Sequence, residues 1–436
     1  ITAVFGGGIS DAIAKLAVSG STTTELNNAV EDTDVVITVK DNTGTMQAAD
    51  LYAITQKTAG AVNITNSQTI EGTGGAVINA LIDDAVTLKQ NSTASVNNAV
   101  NASDASSIAQ VNKITAVFGG GISDAIAKLA VSGSTTTELN NAVEDTDVVI
   151  TVKDNTGTMQ AADLYAITQK TAGAVNITNS QTIEGTGGAV INALIDDAVT
   201  LKQNSTASVS GAISVSAASA IAKVNSITLD STGTISDSLA KLITGSEISG
   251  ELSNATSDDT DAKITISNST STIAATKLSL VTGSTSGSVI LSNAHTITGS
   301  GAQLTAALVT DKVSAAASST ASVSGAVNVS VASGIAQASN ITAVFGGGIS
   351  DAIAKLAVSG STTTELNNAV EDTDVVITVK DNTGTMQAAD LYAITQKTAG
   401  AVNITNSQTI EGTGGAVINA LIDDAVTLKQ NSTASV

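Results

Sequence analysis

The chain has 436 residues with no Cys, Pro or Trp, and 39 acidic against 18 basic residues give a net charge of −21. Every basic residue is Lys, so the chain lacks the Arg-bearing basic stripe that phosphate backbones select, and its charge disfavours anionic membrane surfaces. The absence of Cys removes disulfide and thiolate-metal chemistry, and no run of about 18 apolar residues is present to span a bilayer.

Ile1 to Val96 recurs without substitution at Ile114 to Val209 and at Ile341 to Val436, and an altered copy runs from Ile227 to Val323. Copy starts at 1, 114, 227 and 341 divide the chain into repeats 1-113, 114-226, 227-340 (diverged) and 341-436 (incomplete). Such periodicity marks an array, and identical copies cannot hold three different active sites. With three Phe and three Tyr, the core must be built from Ala, Val, Ile and Leu in thin layers, which suits stacked regular modules. The chain starts and stops inside repeat units, which reads as an internal window of a longer protein.

Within one repeat, Ile1 to Val4 is the first β-branched stretch and predicts a strand. Gly6, Gly7 and Gly8 follow as a tight strand-to-helix connection; neither GxGxxG nor a P-loop reads there. Ile9, Ala12, Ile13 and Leu16 have helical spacing and predict a helix over Ser10 to Val18, with Ser10 as N-cap and Gly20 as its stop. Val35 to Val39 is the second strand. Met46, Ala49, Leu51 and Ile54 predict a helix over Thr45 to Lys57, capped by Thr45 and stopped by Gly60. Val62 to Ile64 is the third strand, Val77, Ala80 and Leu81 mark a helix, and Val86 to Leu88 is the fourth strand. Ile108 and Val111, with Ser103 as cap, mark the last helix before the pattern restarts at Ile114. The altered copy keeps the apolar positions, with Ile235, Leu239 and Leu242 standing where Ile9, Ile13 and Leu16 stand.

Strand spacings of 34, 27, 24 and 28 residues lie close to the leucine-rich-repeat range of about 20 to 29. They predict an α/β solenoid of stacked short strand-helix modules, leucine-rich-repeat-like, with a parallel sheet along one face. At a strand spacing of about 4.8 Å, four modules make each repeat roughly 19 Å of rod, and the chain about 70 to 75 Å. Tandem β-sandwich beads are the alternative. The absence of Pro and Trp, and the helical spacing of Ser10 to Val18, argue against them.

Chemistry-bearing residues are sparse. The one histidine, His295, stands in the altered copy where the others carry Gln68, and reads as a surface residue. No Ser-His-Asp or Cys-His set can recur, so the chain does not read as an enzyme, and zinc lacks its usual ligands. Glu31, Asp32 and Asp34 precede the second strand, Asp258, Asp259 and Asp261 do so in the altered copy, and Asp83 with Asp84 precede the fourth. Clustered carboxylates offer hard oxygen ligands for a weak Ca²⁺ site, although neither an EF-hand loop nor the calcium-binding nonapeptide is present. Solvated turn carboxylates are the simpler reading. Thr is abundant, yet the strict Thr-x-Thr ladder that ice binding needs is not visible. No other cofactor is expected.

TAGAVNIT at Thr58 to Thr65 and TSGSVILS at Thr285 to Ser292, set in a Pro-free and acidic background, resemble the tandem repeats of giant bacterial surface proteins. The likeness is to the cell-surface or secreted repeat proteins of marine cyanobacteria and proteobacteria. It implies an extracellular structural segment serving as rod, coat or adhesive stalk, partnered by neighbouring copies or by surface glycans, without nucleic acid or membrane insertion. A calcium-stiffened adhesin and a carbohydrate-binding or carbohydrate-active solenoid are the alternatives.

Overall fold

Short β-branched segments separated by polar corners leave each strand too small to bury its own apolar face, so the segments stack. The computed structural model describes residues 3–30, 34–83, 86–143, 147–196, 199–311, 313–370, 374–423 and 426–436. They form two compact units, Ile1–Ser210 with Ala220–Asp230, and Gly211–Ser219 with Ser231–Val436.

In the first unit the order is β1 (Ile9–Asp11), α1 (Ile13–Leu16), β2 (Ala17–Val18), β3 (Ser21–Thr22), α2 (Thr24–Ala29), β4 (Ile37–Val39), β5 (Gly44–Gln47), α3 (Ala48–Thr55), β6 (Val62–Ile64), β7 (Gln68–Gly72), α4 (Gly74–Ile78), β8 (Thr87–Leu88), β9 (Ser92–Val96) and α5 (Ala102–Ala109). β10 (Ile114–Phe118), β11 (Ile122–Asp124), α6 (Ile126–Leu129), β12 (Ala130–Val131), β13 (Ser134–Thr135) and α7 (Thr137–Ala142) open the second repeat. One coil is a short strand, a corner, a second strand, a helix and a return. The chain is therefore an α/β solenoid, and each module carries one strand more than the spacing predicts. Two parallel ladders result, β1-β4-β6-β8 and β5-β7-β9-β10. Registers such as Ile37↔Val62 and Val39↔Ile64 set apolar residues in rows. Ile37, Ile64, Ile70, Leu51, Ile54 and Ile108 are all but fully buried between ladders and helices, and burying each contributes about 1.5–3 kcal/mol.

The ladders cross the repeat boundary. β10, of the second repeat, pairs with β9, of the first, over five residues from Ile114↔Ser92 to Phe118↔Val96. Val100 bridges to Ile122 and so starts the ladder continued by β11, Ile150–Val152, Val175–Ile177 and Thr200–Leu201. The second unit repeats the device: Ser319–Ser324 pairs with Ile341–Phe345, and Val327 bridges to Ile349. Independent sandwich beads would not share ladders in this way.

Several local expectations change. Ala3 to Phe5 form no strand, whereas the same letters at Ile114–Phe118 do, because there the preceding module supplies β9. The helix over Ser10 to Val18 is reduced to the single turn α1, with Ser10 in β1 and β2 and β3 forming a hairpin. Ser19 (φ 54) and Gly20 (φ 75) are its two central residues, the paired positive φ of a tight two-residue turn. Gly20 is thus a hairpin residue and not a helix stop. Thr45 lies inside β5; α3 begins after Gln47, which makes no side-chain cap. Ser103 lies within α5, whose cap is Asn101, its Oδ1 accepting from Asp104 N at 2.7 Å. α2, with Thr23 Oγ1 accepting from Leu26 N at 3.2 Å, was not legible in the spacing.

The triple glycine joins two strands and not a strand to a helix. A Cβ on Gly120 would lie 2.0 Å from the Asn98 carbonyl carbon, and one on Gly121 (φ +79) would lie 2.6 Å from Val149 O. In the altered copy the middle glycine, Gly233, is kept; its Cβ would stand 1.8 Å from Gly211 O.

Candidate functional site

Of the acidic clusters, Glu31 and Asp32 lie outside the described residues, as does Asp84. Asp34 sits in the turn before β4, Asp83 closes the wide helical turn Asn79–Asp83 that follows α4, and Asp258 ends the helix Gly250–Asp258. Asp259 is buried, and its Oδ2 accepts hydrogen bonds from Ser231 N, at 2.8 Å, and from Ser231 Oγ. Burial raises the Asp259 carboxyl above the ordinary carboxylate value, Ser231 opposes the rise, and a hydrogen bond and charge from Asp261 add to it. Asp259 therefore anchors the corner that begins at Ser231. Among the described residues no group of three or more His, Cys, Asp or Glu side chains converges to hold a metal ion.

His295 is buried, at 2% exposure, which corrects its reading as a surface residue. Sequence alignment of the copies carries the reason. Gln68, also buried at 3%, donates through Nε2 to Asp41 O at 3.1 Å and Asn42 O at 2.9 Å, stitching one coil to the corner of the coil before it. His295 takes the same place, with Nδ1 at 3.2 Å from Ser271 N and 3.1 Å from Ser271 O. Its Nε2 is buried without a partner among the described residues. The residue is a coil-to-coil stitch.

Parallel register also builds what spacing could not reveal. Thr45, Thr69, Thr93 and Thr115 are successive rungs of the β5-β7-β9-β10 ladder, facing outward while Met46, Ile70, Ala94 and Ala116 are buried beside them. Thr158, Thr182, Thr206 and Thr228 repeat the row, as do Thr272, Thr296, Thr320 and Thr342. The next outward positions are Gln47, Glu71, Ser95 and Val117 in the first row, and Ala274, Thr298, Ser322 and Val344 in the third, so among the described residues of these two rows Thr-x-Thr occurs at the single step Thr296 to Thr298 and does not extend into an array.

A polar groove of about 540 Å³ lies where α5 meets α6 and α7, with Asn101, Ser103, Asp124, Lys128, Thr136 and Glu138 on its walls. Its frame is fixed from within. Asp124 accepts from Ala102 N at 3.1 Å and from Ala125 N at 2.9 Å, tying β11 to the start of α5. Thr136 donates to Lys128 O at 2.8 Å and accepts from Leu139 N at 3.2 Å, locking α7 to α6. Neither the Lys128 ammonium nor the Glu138 carboxylate has a partner among the described residues. Sequence reasoning missed this groove because its residues lie up to 37 positions apart, from Asn101 to Glu138.

No helix among the described residues is long and apolar enough to cross a membrane. No family model matches the chain. No curated protein matches it either. Among solved structures, a plant peptide hormone receptor, RGFR1 in complex with RGF2, is 10% identical over 97% of this chain and 84% of that one, with a TM-score of 0.18. The PEPR1-AtPEP1 structure is 11% identical over 95% of this chain and 64% of that one, with a TM-score of 0.16. Scores this low carry no weight for function, and the solenoid stands on its own strand registers.

Proposed function

We propose that the chain is a structural repeat segment of an extracellular bacterial surface protein or filament, acting as a rod, coat or adhesive stalk. The observation that carries this reading is the β9-β10 ladder across the repeat boundary. A repeat joined to the next by backbone hydrogen bonds and a shared apolar layer gains stability from its neighbour, so identical copies add length without adding hinges. The repeated phrases at Thr58 to Thr65 and Thr285 to Ser292 supply the bacterial surface resemblance, and the net charge of −21 keeps a long repetitive surface hydrated. Two measurements test the proposal. Antibody raised against the repeat should label intact cells of the source organism as strongly as lysed ones, and solution scattering of the purified chain should give an elongated distance distribution. Labelling only after lysis would overturn the surface role; a compact distribution would overturn the rod.

A further inference from the structure

The altered third repeat departs from its identical neighbours along one stretch of the helical face. Tyr52, Tyr165 and Tyr392, half-buried in the identical repeats, give way to Ser279. Counted from the first repeat, Ala53 becomes Leu280, Thr22 becomes Ile248, Lys57 becomes Ser284 and Asn79 becomes Ala306 around it. A ring and a charge are lost together while aliphatic carbon is gained. Here the surface opens into a shallow trough of two connected parts that share Ser279 and Leu280. One part, of about 410 Å³, lies between the helix Ala275–Thr282 and the helix Gly301–Leu304 and is walled by Ala302 and Ala306. The other, of about 660 Å³, lies between Ala275–Thr282 and the strand Glu247–Ile248.

The identical repeats carry the converse feature. The β2-β3 hairpin presents Val18 beside its turn, 53% exposed, and Val131 and Val358 stand likewise in the other two. Each hairpin is braced. Gly20 N donates to Asp50 Oδ1 at 2.6 Å and Thr22 Oγ1 to Asn27 Oδ1 at 2.8 Å, and the second repeat keeps both bonds as Gly133 to Asp163 and Thr135 to Asn140. In the altered repeat the valine is Thr244 and the bracing aspartate is Lys277. A valine half in water contributes little to its own coil, and Thr244 shows that the fold accepts a polar letter there. Repeats with a braced apolar knob therefore hold a tyrosine where the trough opens, and the repeat with the trough has lost the knob.

We infer that the hairpin knob of one copy of this chain docks in the trough of a second copy, a contact that rests on the reading of the chain as a surface rod or coat. Docking removes the valine methyls, Leu280 and Ile248 from water in one step. Charge favours the same pairing. Lys15, Lys128 and Lys355 stand exposed three residues before each knob, and Glu247, also exposed, has replaced Ser21 beside the trough. Knob and trough lie on different repeats, so the contact is heterologous and passes from copy to copy instead of closing as a two-fold pair. Each contact buries one small anchor and is weak alone; three knobs per chain present it repeatedly.

Sedimentation velocity on the whole chain tests the contact, with concentration raised to about 1 mM, the weak limit of specific association. The sedimentation coefficient should rise with concentration. Ser279→Tyr fills the trough with the ring of the sibling repeats, and Val18→Thr with Val131→Thr and Val358→Thr gives every knob the letter of the altered repeat. Because each change copies a sibling repeat, both variants should keep the native denaturant midpoint. Each should stay monomeric over the whole range, and an equimolar mixture should associate again, since one variant supplies knobs and the other the trough. A native chain that remains monomeric, variants that associate as the native chain does, or a mixture that stays monomeric would overturn the contact. Association lost in Ser279→Tyr but kept in the valine variant would give the trough another occupant and equally overturn the pairing. A monomeric chain on cells labelled at their surface would sink the contact and leave the structural role standing.

Discussion

A single buried ring separates the altered repeat from its neighbours. Gln68 places its amide between two corner carbonyls, whereas His295 leaves Nε2 enclosed and unpaired. His295→Gln should therefore raise the stability of the full chain by about 1 kcal/mol, the usual scale of a recovered buried hydrogen bond, read as a shift in denaturant midpoint. A midpoint that falls would show the imidazole to be the better stitch. Asp259 gives a second residue-scale expectation. Burial lifts its folded value above the ordinary carboxylate value, so its contribution is fully present below the unfolded value and is lost as pH rises through the folded one. Asp259→Asn removes that dependence while keeping an oxygen acceptor for Ser231. The stability of the variant relative to the native chain should accordingly grow as pH rises through the acid range, and a difference flat in pH would contradict the assignment.

At the scale of elements, the strands hold the repeats together and the helices cover them. Ala94 sits at the centre of β9, with Ile70 on one side and Ala116 on the other. Ala94→Pro deletes a ladder hydrogen bond in a strand paired on both edges, at a cost of about 3 kcal/mol or more. Native-state hydrogen exchange should then lose protection in β7, β9 and β10 before β1, β4 and β6; uniform loss would mean that the ladders do not open separately. This division was half legible. Ile37, Val62 and Leu88 announce their strands because β-branched or aliphatic letters recur at alternate positions, Ile37 with Val39, Val62 with Ile64 and Val86 with Leu88, and Leu51 with Ile54 announce α3 by helical spacing. β5 and β7 were hidden because each offers a single buried apolar centre, Met46 or Ile70, among polar letters, and β9 because its buried Ala94 and Val96 stand among Ser and Thr. The region from Ser10 to Val18 misled for the opposite reason. Ile9, Ile13 and Leu16 sit at helical intervals, yet the first of them belongs to a strand. The groove was invisible for a related reason, since the register that brings Ser103 to Glu138 is a property of stacking and not of spacing.

For the whole molecule, stability should follow the number of repeats. A chain of residues 1 to 113 exposes the edge of β9 that β10 covers in the longer chain. Denaturant melts of one, two and three repeats should give midpoints that rise with length, most steeply from one to two. A midpoint independent of repeat number would mean closed cores and would contradict the shared ladders.

The brevity of those ladders has its own consequence. Each ladder runs for three or four strands, and a successor opens on the coil where Val100, or Val327, bridges forward. Neighbouring strands rotate by about 20–25°, so one sheet continued through every coil would wind steadily away from flatness. Handing over after a few strands confines the torsion to each sheet and starts the next afresh. A gene that gains or loses a copy by recombination between identical stretches thus lengthens or shortens the protein without disturbing the register of what remains.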